Sequence, residues 1–236
     1  MADARYDVAV IGAGIAGSSV AAELAASARV ALLESEDAPG YHSTGRSAAL
    51  FTMSYGPGPI RALSRLSESF FRSAEGPGGH PLLSPRGVLF VAREDQRAAL
   101  DAFAAAVGEA VLPESPEEAR ARLPILKPGY AAAALYEPGA ADIDVDALHQ
   151  LCLRRFRAEG GALLCRSEVK GLARRDGLWE IDTPEGRVAA GIVVNAAGAW
   201  ADEVARRAGV RTVGLVPKRR TAAIVAPPGN ADPAGW

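Results

Sequence analysis

The chain has 236 residues, of which 49% are hydrophobic and 23% charged, and its 26 basic and 28 acidic side chains give a formal net charge of −2. This composition can bury a sizeable core in one large domain or two small ones. The nearly balanced charge argues against nucleic-acid binding as the main role. The longest uncharged run, residues 8–22, is shorter than the roughly 18 residues that a membrane span requires, so no transmembrane helix is predicted.

The first 34 residues predict a βαβ unit. Residues 6–11 are a short β-branched run that stops at glycine, residues 14–27 follow an alanine-rich helical pattern, and residues 29–34 form a second apolar run. Both runs are almost wholly apolar, as expected for a parallel sheet that is covered on both faces. The chain is therefore predicted to open with a doubly wound α/β element.

The composition changes at residue 37. Residues 37–59 are rich in Gly, Ser, Thr, Pro and Tyr and predict a long loop, which is usually functional or disordered. The later pattern predicts helices at 60–73, 94–107, from about 115, 144–159 and ending near 209, and strands at 87–92, 131–137, 162–169 and 191–195 with a hairpin over 178–190. Because the α/β pattern returns only after an interruption, the chain is predicted to be one sheet domain with a second domain inserted in it.

The cysteines indicate no special chemistry. Cys152 and Cys165 are too few for a disulfide framework, and neither has a partner at metal-ligand spacing. No metal site is therefore predicted, and the cytoplasm is the expected compartment.

A glycine motif follows the first predicted strand. Gly12, Gly14 and Gly17 form G-x-G-x-x-G between a strand and a helix, which is the context that dinucleotide binding requires. The first glycine allows the tight turn, the second lets backbone amides approach a pyrophosphate, and the third lets the helix pack on the strand. Glu34 ends the next strand, where a carboxylate can accept hydrogen bonds from both ribose hydroxyls. An ordinary strand-to-helix turn is the alternative, and the unit does not distinguish FAD from NAD.

The segment after Glu34 resembles a family. Residues 40–49 (GYHSTGRSAA) and 195–200 (NAAGAW) are similar to the FAD-dependent amine and amino-acid oxidoreductases of the D-amino-acid oxidase superfamily. Within this family the resemblance is greatest to D-arginine dehydrogenase, through residues 55–56 (YG), 81–86 (PLLSPR), 141–144 (ADID), 146–150 (DALHQ) and 217–221 (PKRRT). The resemblance implies an α/β fold with a Rossmann-like FAD-binding domain and an inserted α+β substrate domain that is incomplete here. It places the FAD-binding domain at residues 1–50 and 142–208, and the substrate domain at 51–141 and 209–236.

The resemblance also implies the site residues. Noncovalent FAD is expected to contact Gly12, Gly14, Ala16, Gly17, Glu34, Ser35, Ser43, Thr44, Gly45, Arg46, Ser47, Ala48, Ala49, Leu50, Val169, Ala197 and Gly198. The substrate is expected to contact Leu50, Thr52, Tyr55, Val88 and Arg220, with Tyr55 on a mobile loop. A Ser/Thr/Gly run independently offers amides and hydroxyls to a diphosphate, and Arg46 offers positive charge. The alternatives are a plain turn at 43–45, a surface aromatic at Tyr55 and a salt bridge at Arg220.

None of the three histidines is predicted to attach the cofactor. Some amine dehydrogenases of this family hold flavin through a histidine near position 42, but the D-arginine dehydrogenase-like members do not, so no attachment at His42 is expected. His80 is expected in a loop, and His149 on a helix face.

The implied activity is oxidation of a D-amino acid to its imino acid by hydride transfer to flavin, with no catalytic side chain. Val88 stands where D-arginine dehydrogenase-like sequences have a glutamate, and Leu50 where they have a histidine, so an apolar D-amino acid is expected rather than a cationic one. A glycine- or sarcosine-type secondary-amine oxidoreductase and a noncatalytic FAD-binding fragment are the alternatives. The electron acceptor is not predicted.

The motifs cover only the N-terminal part of a family member. The chain is therefore expected to be incomplete and to have little catalysis by itself. For the same reason, residues 191–195 and 212–226 are expected to lack sheet neighbours.

Overall fold

A computed structural model describes residues 4–219, 221, 223 and 225–229. Its strands are β1 Ala4–Ile11, β2 Val30–Leu33, β3 Leu50–Phe51, β4 Leu83–Pro85, β5 Val88–Ala92, β6 Leu112–Glu114, β7 Ala133–Glu137, β8 Ala141–Ile143, β9 Ala162–Leu164, β10 Gly171–Arg175, β11 Leu178–Thr183 and β12 Gly186–Asn195. Its α-helices are α1 Ile15–Ala25, α2 Gly58–Ser73, α3 Arg97–Val107, α4 Pro116–Arg122, α5 Val145–Ala158 and α6 Ala201–Arg207. Short 3-10 turns lie at Thr44–Arg46, Glu94–Gln96, Gly108–Ala110 and Gly198–Trp200.

The chain divides into two compact units. The first consists of Met1–Ser47, Glu75–His80 and Val145–Arg220, and the second of Ala48–Ala74, Pro81–Asp144 and Thr221–Trp236. The assignment of a FAD-binding and a substrate domain to these parts of the chain stays a prediction.

The first unit is built on a six-stranded sheet in the order β10-β11-β12-β1-β2-β9. The four strands from β12 to β9 run parallel, and β10 and β11 continue the sheet as antiparallel strands. Every residue of β2 is buried, as its apolar sequence predicts, and α1 packs against α5. The predicted α/β fold with a parallel sheet is confirmed.

The longest strand corrects two expectations. The sequence predicts a hairpin over 178–190 followed by a separate strand, but β12 is one continuous strand of ten residues. Its first half pairs with β11, and Ile192–Asn195 pair in parallel with Val8–Ile11. The expectation that residues 191–195 lack a sheet neighbour is therefore wrong, because β1 supplies one. Among the described residues of 212–226 there is no strand.

Other predicted elements change in length. The strand predicted over 162–169 ends at Leu164, and two residues later Arg166 adopts a left-handed conformation with φ 55°. Its backbone N–H donates to the carbonyl of Glu36, so the chain leaves the sheet there. The predicted loop over 37–59 contains a 3-10 turn and β3.

The second unit contains two antiparallel three-stranded sheets, in the orders β3-β8-β4 and β5-β7-β6. Val107, Val111 and Leu135 form a small core, against which Phe90 and Phe103 pack. The predicted helix start near residue 115 is confirmed, because Ser115 accepts a hydrogen bond from the Glu118 N–H and the Glu118 carboxylate accepts one from the Ser115 N–H.

A buried carboxylate holds the chain beyond α6. Asp202, in the first turn of that helix, accepts hydrogen bonds from the backbone N–H groups of Val213 at 3.0 Å and Leu215 at 2.8 Å. These backbone donors hold the pKa of Asp202 below its usual range, because they stabilise the ionised form.

We expect Asp202→Asn to destabilise the fold in a pH-dependent way. Because the folded pKa is lowered, the ionised carboxylate contributes stability above the ordinary pKa, and this contribution is lost as the pH falls through the folded value. The difference in unfolding free energy between wild type and Asp202→Asn should be largest near neutral pH and shrink below about pH 4. Denaturant titrations at several pH values measure it, with Asp101→Asn on the exposed face of α3 as the control. A difference that grows on acidification would contradict this assignment.

Candidate functional site

The turn between β1 and α1 requires glycine at two places. Gly12 has φ 100°, and a Cβ there would lie 2.6 Å from the carbonyl oxygen of Ala196. A Cβ at Gly17 would lie 1.8 Å from the carbonyl oxygen of Gly12. The tight turn and the close packing of helix on strand therefore follow from these glycines, as the motif predicts.

The N-terminus of α1 faces a threonine from the following loop. Gly14 is the extended residue that precedes the helix, and the first turn contains no acidic side chain. The Thr44 hydroxyl oxygen accepts a hydrogen bond from the Ile15 N–H at 2.9 Å, and a Cβ at Gly14 would lie 3.1 Å from the same oxygen. The first turn of this eleven-residue helix thus has no acidic side chain of its own, and its positive end suits an anion such as a diphosphate.

Glu34 is buried at the end of β2, with only 8% of its surface exposed. Its Oε2 accepts a hydrogen bond from the Ala13 N–H at 3.0 Å, and its Oε1 accepts from the Ser35 hydroxyl and the Glu36 N–H, each at 3.1 Å. Each oxygen of a carboxylate has two acceptor sites, so Oε2 retains capacity for a further donor. The carboxylate therefore fixes the glycine turn and remains suited to a ribose hydroxyl.

Buried His149 holds the other side of the same turn. Its Nε2 lies 2.9 Å from the carbonyl oxygen of Ala13 and 3.0 Å from the Ser18 hydroxyl. A carbonyl only accepts, so this contact assigns the proton to Nε2. The sequence places His149 on a helix face; the structure shows that this face is buried and that His149 joins α5 to the glycine turn.

Gly12, Gly14, Glu34 and Thr44 line a cleft of about 630 Å³ in the first unit, a volume typical of small-molecule sites. Ten predicted FAD residues line it: Gly12, Gly14, Ala16, Glu34, Ser35, Ser43, Thr44, Val169, Ala197 and Gly198. The others do not. Gly17 is buried beneath the turn, Gly45, Arg46 and Ser47 lie outside the lining, and Ala48, Ala49 and Leu50 fall in the second unit.

Several residues that line the cleft were not predicted from the sequence. His42 pairs with Glu36 at 2.9 Å, and its ring centroid lies 4.6 Å from that of Trp200. Both His42 and Trp200 belong to the motifs that carry the family resemblance, which was the available signal. Arg207, which no sequence motif indicated, donates to the carbonyl of Val169 and to Glu203.

The predicted substrate residues lie in the second unit or outside the described chain. Tyr55 is 63% exposed, Leu50 is in β3 and pairs with Asp142, and Val88 begins β5. Thr52 follows β3 and contacts Glu137. Arg220 lies outside the described residues.

Among the described residues, no group of three or more His, Cys, Asp or Glu side chains is placed to hold a metal ion. None of the helices there has the length and apolar character needed to cross a membrane.

Comparison with known proteins shows the family. Residues 7–236 match the family model DAO, FAD dependent oxidoreductase. Dimethylglycine dehydrogenase from Homo sapiens is 38% identical over 96 residues, covering 40% of this chain and 11% of that protein. L-2-hydroxyglutarate dehydrogenase from Salmonella houtenae is 27% identical over 215 residues, covering 87% of this chain and 50% of that protein. The structure of glycine oxidase from Geobacillus kaustophilus superposes with a TM-score of 0.76 at 26% identity, covering 87% and 59% of the two chains.

The chain belongs to the DAO family of FAD-dependent oxidoreductases, and FAD is its cofactor. It spans half or less of the curated relatives named above. The features of the cleft fit a dinucleotide: a helix N-terminus with no acidic side chain in its first turn, a turn with no room for a Cβ, and a carboxylate at the end of β2.

We expect Gly17→Ala to impair FAD binding. The added methyl group collides with backbone at Gly12, so the turn must move away from its present path. The dissociation constant for FAD should rise at least about tenfold, which corresponds to about 1.4 kcal/mol. Titration of flavin fluorescence measures it.

Gly58→Ala is the matched control. Nothing lies within 4 Å of a Cβ at Gly58, which is in the first turn of α2. This variant should bind FAD as the wild type does. Equal FAD affinity in Gly17→Ala and Gly58→Ala would contradict the role of the close contact.

Proposed function

We propose that the protein oxidises the amine-bearing carbon of a D-amino acid with an apolar side chain, using FAD held noncovalently by the first unit. The observation that carries the proposal is the cleft in which the glycine turn, the N-terminus of α1 and Glu34 meet. The motifs that resemble D-arginine dehydrogenase supply the substrate class.

We assign separate parts of FAD to separate groups in the cleft. Gly14, Thr44 and the N-terminus of α1 would hold the diphosphate, because the positive end of the helix dipole favours negative charge. Glu34 would accept hydrogen bonds from the adenosine ribose, and the backbone of Val169 would contact adenine. Bound FAD would supply the acceptor for the hydride from the substrate Cα, and the imino acid would then hydrolyse in solution.

The substrate preference depends on two apolar positions. Leu50 and Val88 offer no carboxylate to a guanidinium, and a cation brought there without a partner is penalised by desolvation. The strand partner of Val88 is Glu137, but its oxygens already accept hydrogen bonds from residues 52–54. The strand partner of Leu50 is Asp142, whose carboxylate already pairs with Arg86 at 2.7 Å. An apolar side chain is therefore favoured over arginine.

A second candidate is oxidation of an N-methylated glycine. The similarity to dimethylglycine dehydrogenase at 38% identity, and to the structure of glycine oxidase, favours this class. Because the chain spans only part of these proteins, the activity of the whole protein is itself part of the proposal. The cytoplasmic location stays a prediction.

The test is a substrate panel on the FAD-loaded protein. We expect D-leucine, D-methionine or D-phenylalanine to have a kcat/KM above that of D-arginine by more than about tenfold, or about 1.4 kcal/mol of discrimination. Anaerobic bleaching of the flavin spectrum and reduction of an artificial dye measure turnover, with L-leucine as the stereochemical control. Val88→Glu should narrow this difference in kcat/KM, because it places a carboxylate where D-arginine dehydrogenase-like sequences have a glutamate.

Each other result has a defined meaning. A preference for D-arginine above tenfold would overturn the apolar assignment. Turnover of sarcosine or dimethylglycine but of no D-amino acid would establish the second candidate. Stoichiometric flavin that none of these amines reduces would leave FAD binding alone as the function of this chain.

A further inference from the structure

Glu137 is a buried carboxylate at the end of β7, with 1% of its surface exposed. Three consecutive residues donate hydrogen bonds to it. The Thr52 hydroxyl donates to Oε2 at 2.8 Å, the Met53 N–H to Oε1 at 2.6 Å, and the Ser54 hydroxyl to Oε2 at 2.5 Å. One side chain thus fixes the whole segment from Thr52 to Ser54.

The charge of Glu137 is compensated by these donors. Among the described residues, no cationic side chain forms a salt bridge with it. A buried carboxylate is costly unless its oxygens are hydrogen-bonded, and three short contacts from one segment meet that requirement. The ionised group and the segment therefore stabilise each other: if the segment moves, the carboxylate loses its partners.

The proton of the Thr52 hydroxyl is used in this cluster. It goes to Glu137, and the hydroxyl oxygen accepts a hydrogen bond from the Ser54 N–H at 3.1 Å. A hydroxyl has one proton to donate, so Thr52 has none left for a substrate. Thr52 therefore holds the segment and does not act as a hydrogen-bond donor to a ligand.

Tyr55 lies directly between two anchors. On one side is Ser54, bound to Glu137. On the other, the carbonyl of Gly56 accepts a hydrogen bond from the Arg61 guanidinium of α2 at 2.7 Å, and Gly56 has φ 78°, which favours glycine. The ring of Tyr55 itself remains exposed. The chain is thus held on both sides of an aromatic side chain that is free to meet a ligand.

We propose that Glu137 is a positioning residue, which fixes Thr52–Ser54 and through them the place of Tyr55 at the substrate. Thr52 belongs to this anchor and does not donate a hydrogen bond to the substrate. The part that concerns Tyr55 rests on the proposed function; the anchor stands on the hydrogen bonds alone.

The experiment compares Glu137→Gln, Thr52→Val and Thr52→Ser in the full chain loaded with FAD. Amide hydrogen exchange of a peptide covering residues 52–56 reports the anchor without any need for turnover. We expect exchange there to accelerate at least about tenfold in Glu137→Gln and, to a smaller extent, in Thr52→Val. Thr52→Ser keeps the hydroxyl and should match the wild type. Glu109→Gln, at an exposed position, is the control.

Binding and kinetics then test the role of Tyr55. FAD affinity should stay within about twofold in every variant, because neither Thr52 nor Glu137 lines the cleft. With the best substrate of the panel, KM should rise about tenfold in Glu137→Gln while kcat changes less than about threefold. The substitution weakens substrate binding and leaves the reacting atoms unchanged. Thr52→Ser should restore the KM that Thr52→Val loses.

Two results would overturn the proposal. Unchanged exchange at 52–56 in both Glu137→Gln and Thr52→Val would show that Glu137 does not hold the segment; Thr52→Val decides this even if Glu137→Gln does not fold. Faster exchange with an unchanged KM would show that the anchor does not position Tyr55 for substrate. If no amine is turned over, the proposed function fails, whereas the exchange comparison still decides the anchor.

Discussion

Ala13 is held at both of its backbone groups, and the cleft is organised around it. Its N–H donates to Glu34 at the end of β2, and its carbonyl accepts from His149 on α5. It lies between Gly12 and Gly14, so these two bonds set the path of the glycine turn and the direction in which α1 begins. Because side chains from two separate elements hydrogen-bond to the backbone of one buried residue, the turn is fixed before any ligand arrives, and a preorganised site loses less entropy on binding.

The dense packing around the turn explains why its residues tolerate little change. The carbonyl of Gly12 lies where a side chain at position 17 would begin, and Ala196 closes the space above Gly12. Ala196 in turn donates its N–H to the carbonyl of Ile11, so the end of β12 is tied to the end of β1. The carboxyl ends of parallel strands thus meet at the N-terminus of α1, where α/β folds of this kind bind their ligands.

The parts of the fold that the sequence predicts well are those with sustained periodicity. The apolar runs of β1 and β2, the helix α2 and the capping box of α4 carry local signals that their tertiary surroundings support. The short strands β3, β4, β6 and β8 have two or three residues each, too few for a periodic pattern, and they exist because a partner strand offers backbone hydrogen bonds. The continuity of β12 was missed because β11 pairs only with its first half, residues 186–190, whereas β1 pairs with it from Val188 to Asn195.

The same distinction holds for the site. Gly12, Gly14, Gly17 and Glu34 follow a local motif with a known spacing, and the structure brings them together. Glu137 and His149 are polar residues within a strand and a helix, and their partners lie 85 and 136 positions away in the chain. Nothing in the neighbouring sequence identifies such partners, since the contact is made only when distant elements pack.

Calorimetric titration of the 236-residue chain with FAD, followed by competition with ADP and with FMN, tests the central claim most directly. If the glycine turn, the α1 N-terminus and Glu34 recognise the adenosine diphosphate end, ADP will displace FAD and FMN will not. Displacement by FMN without displacement by ADP would show that the cleft does not hold this end of the cofactor, and would contradict the account.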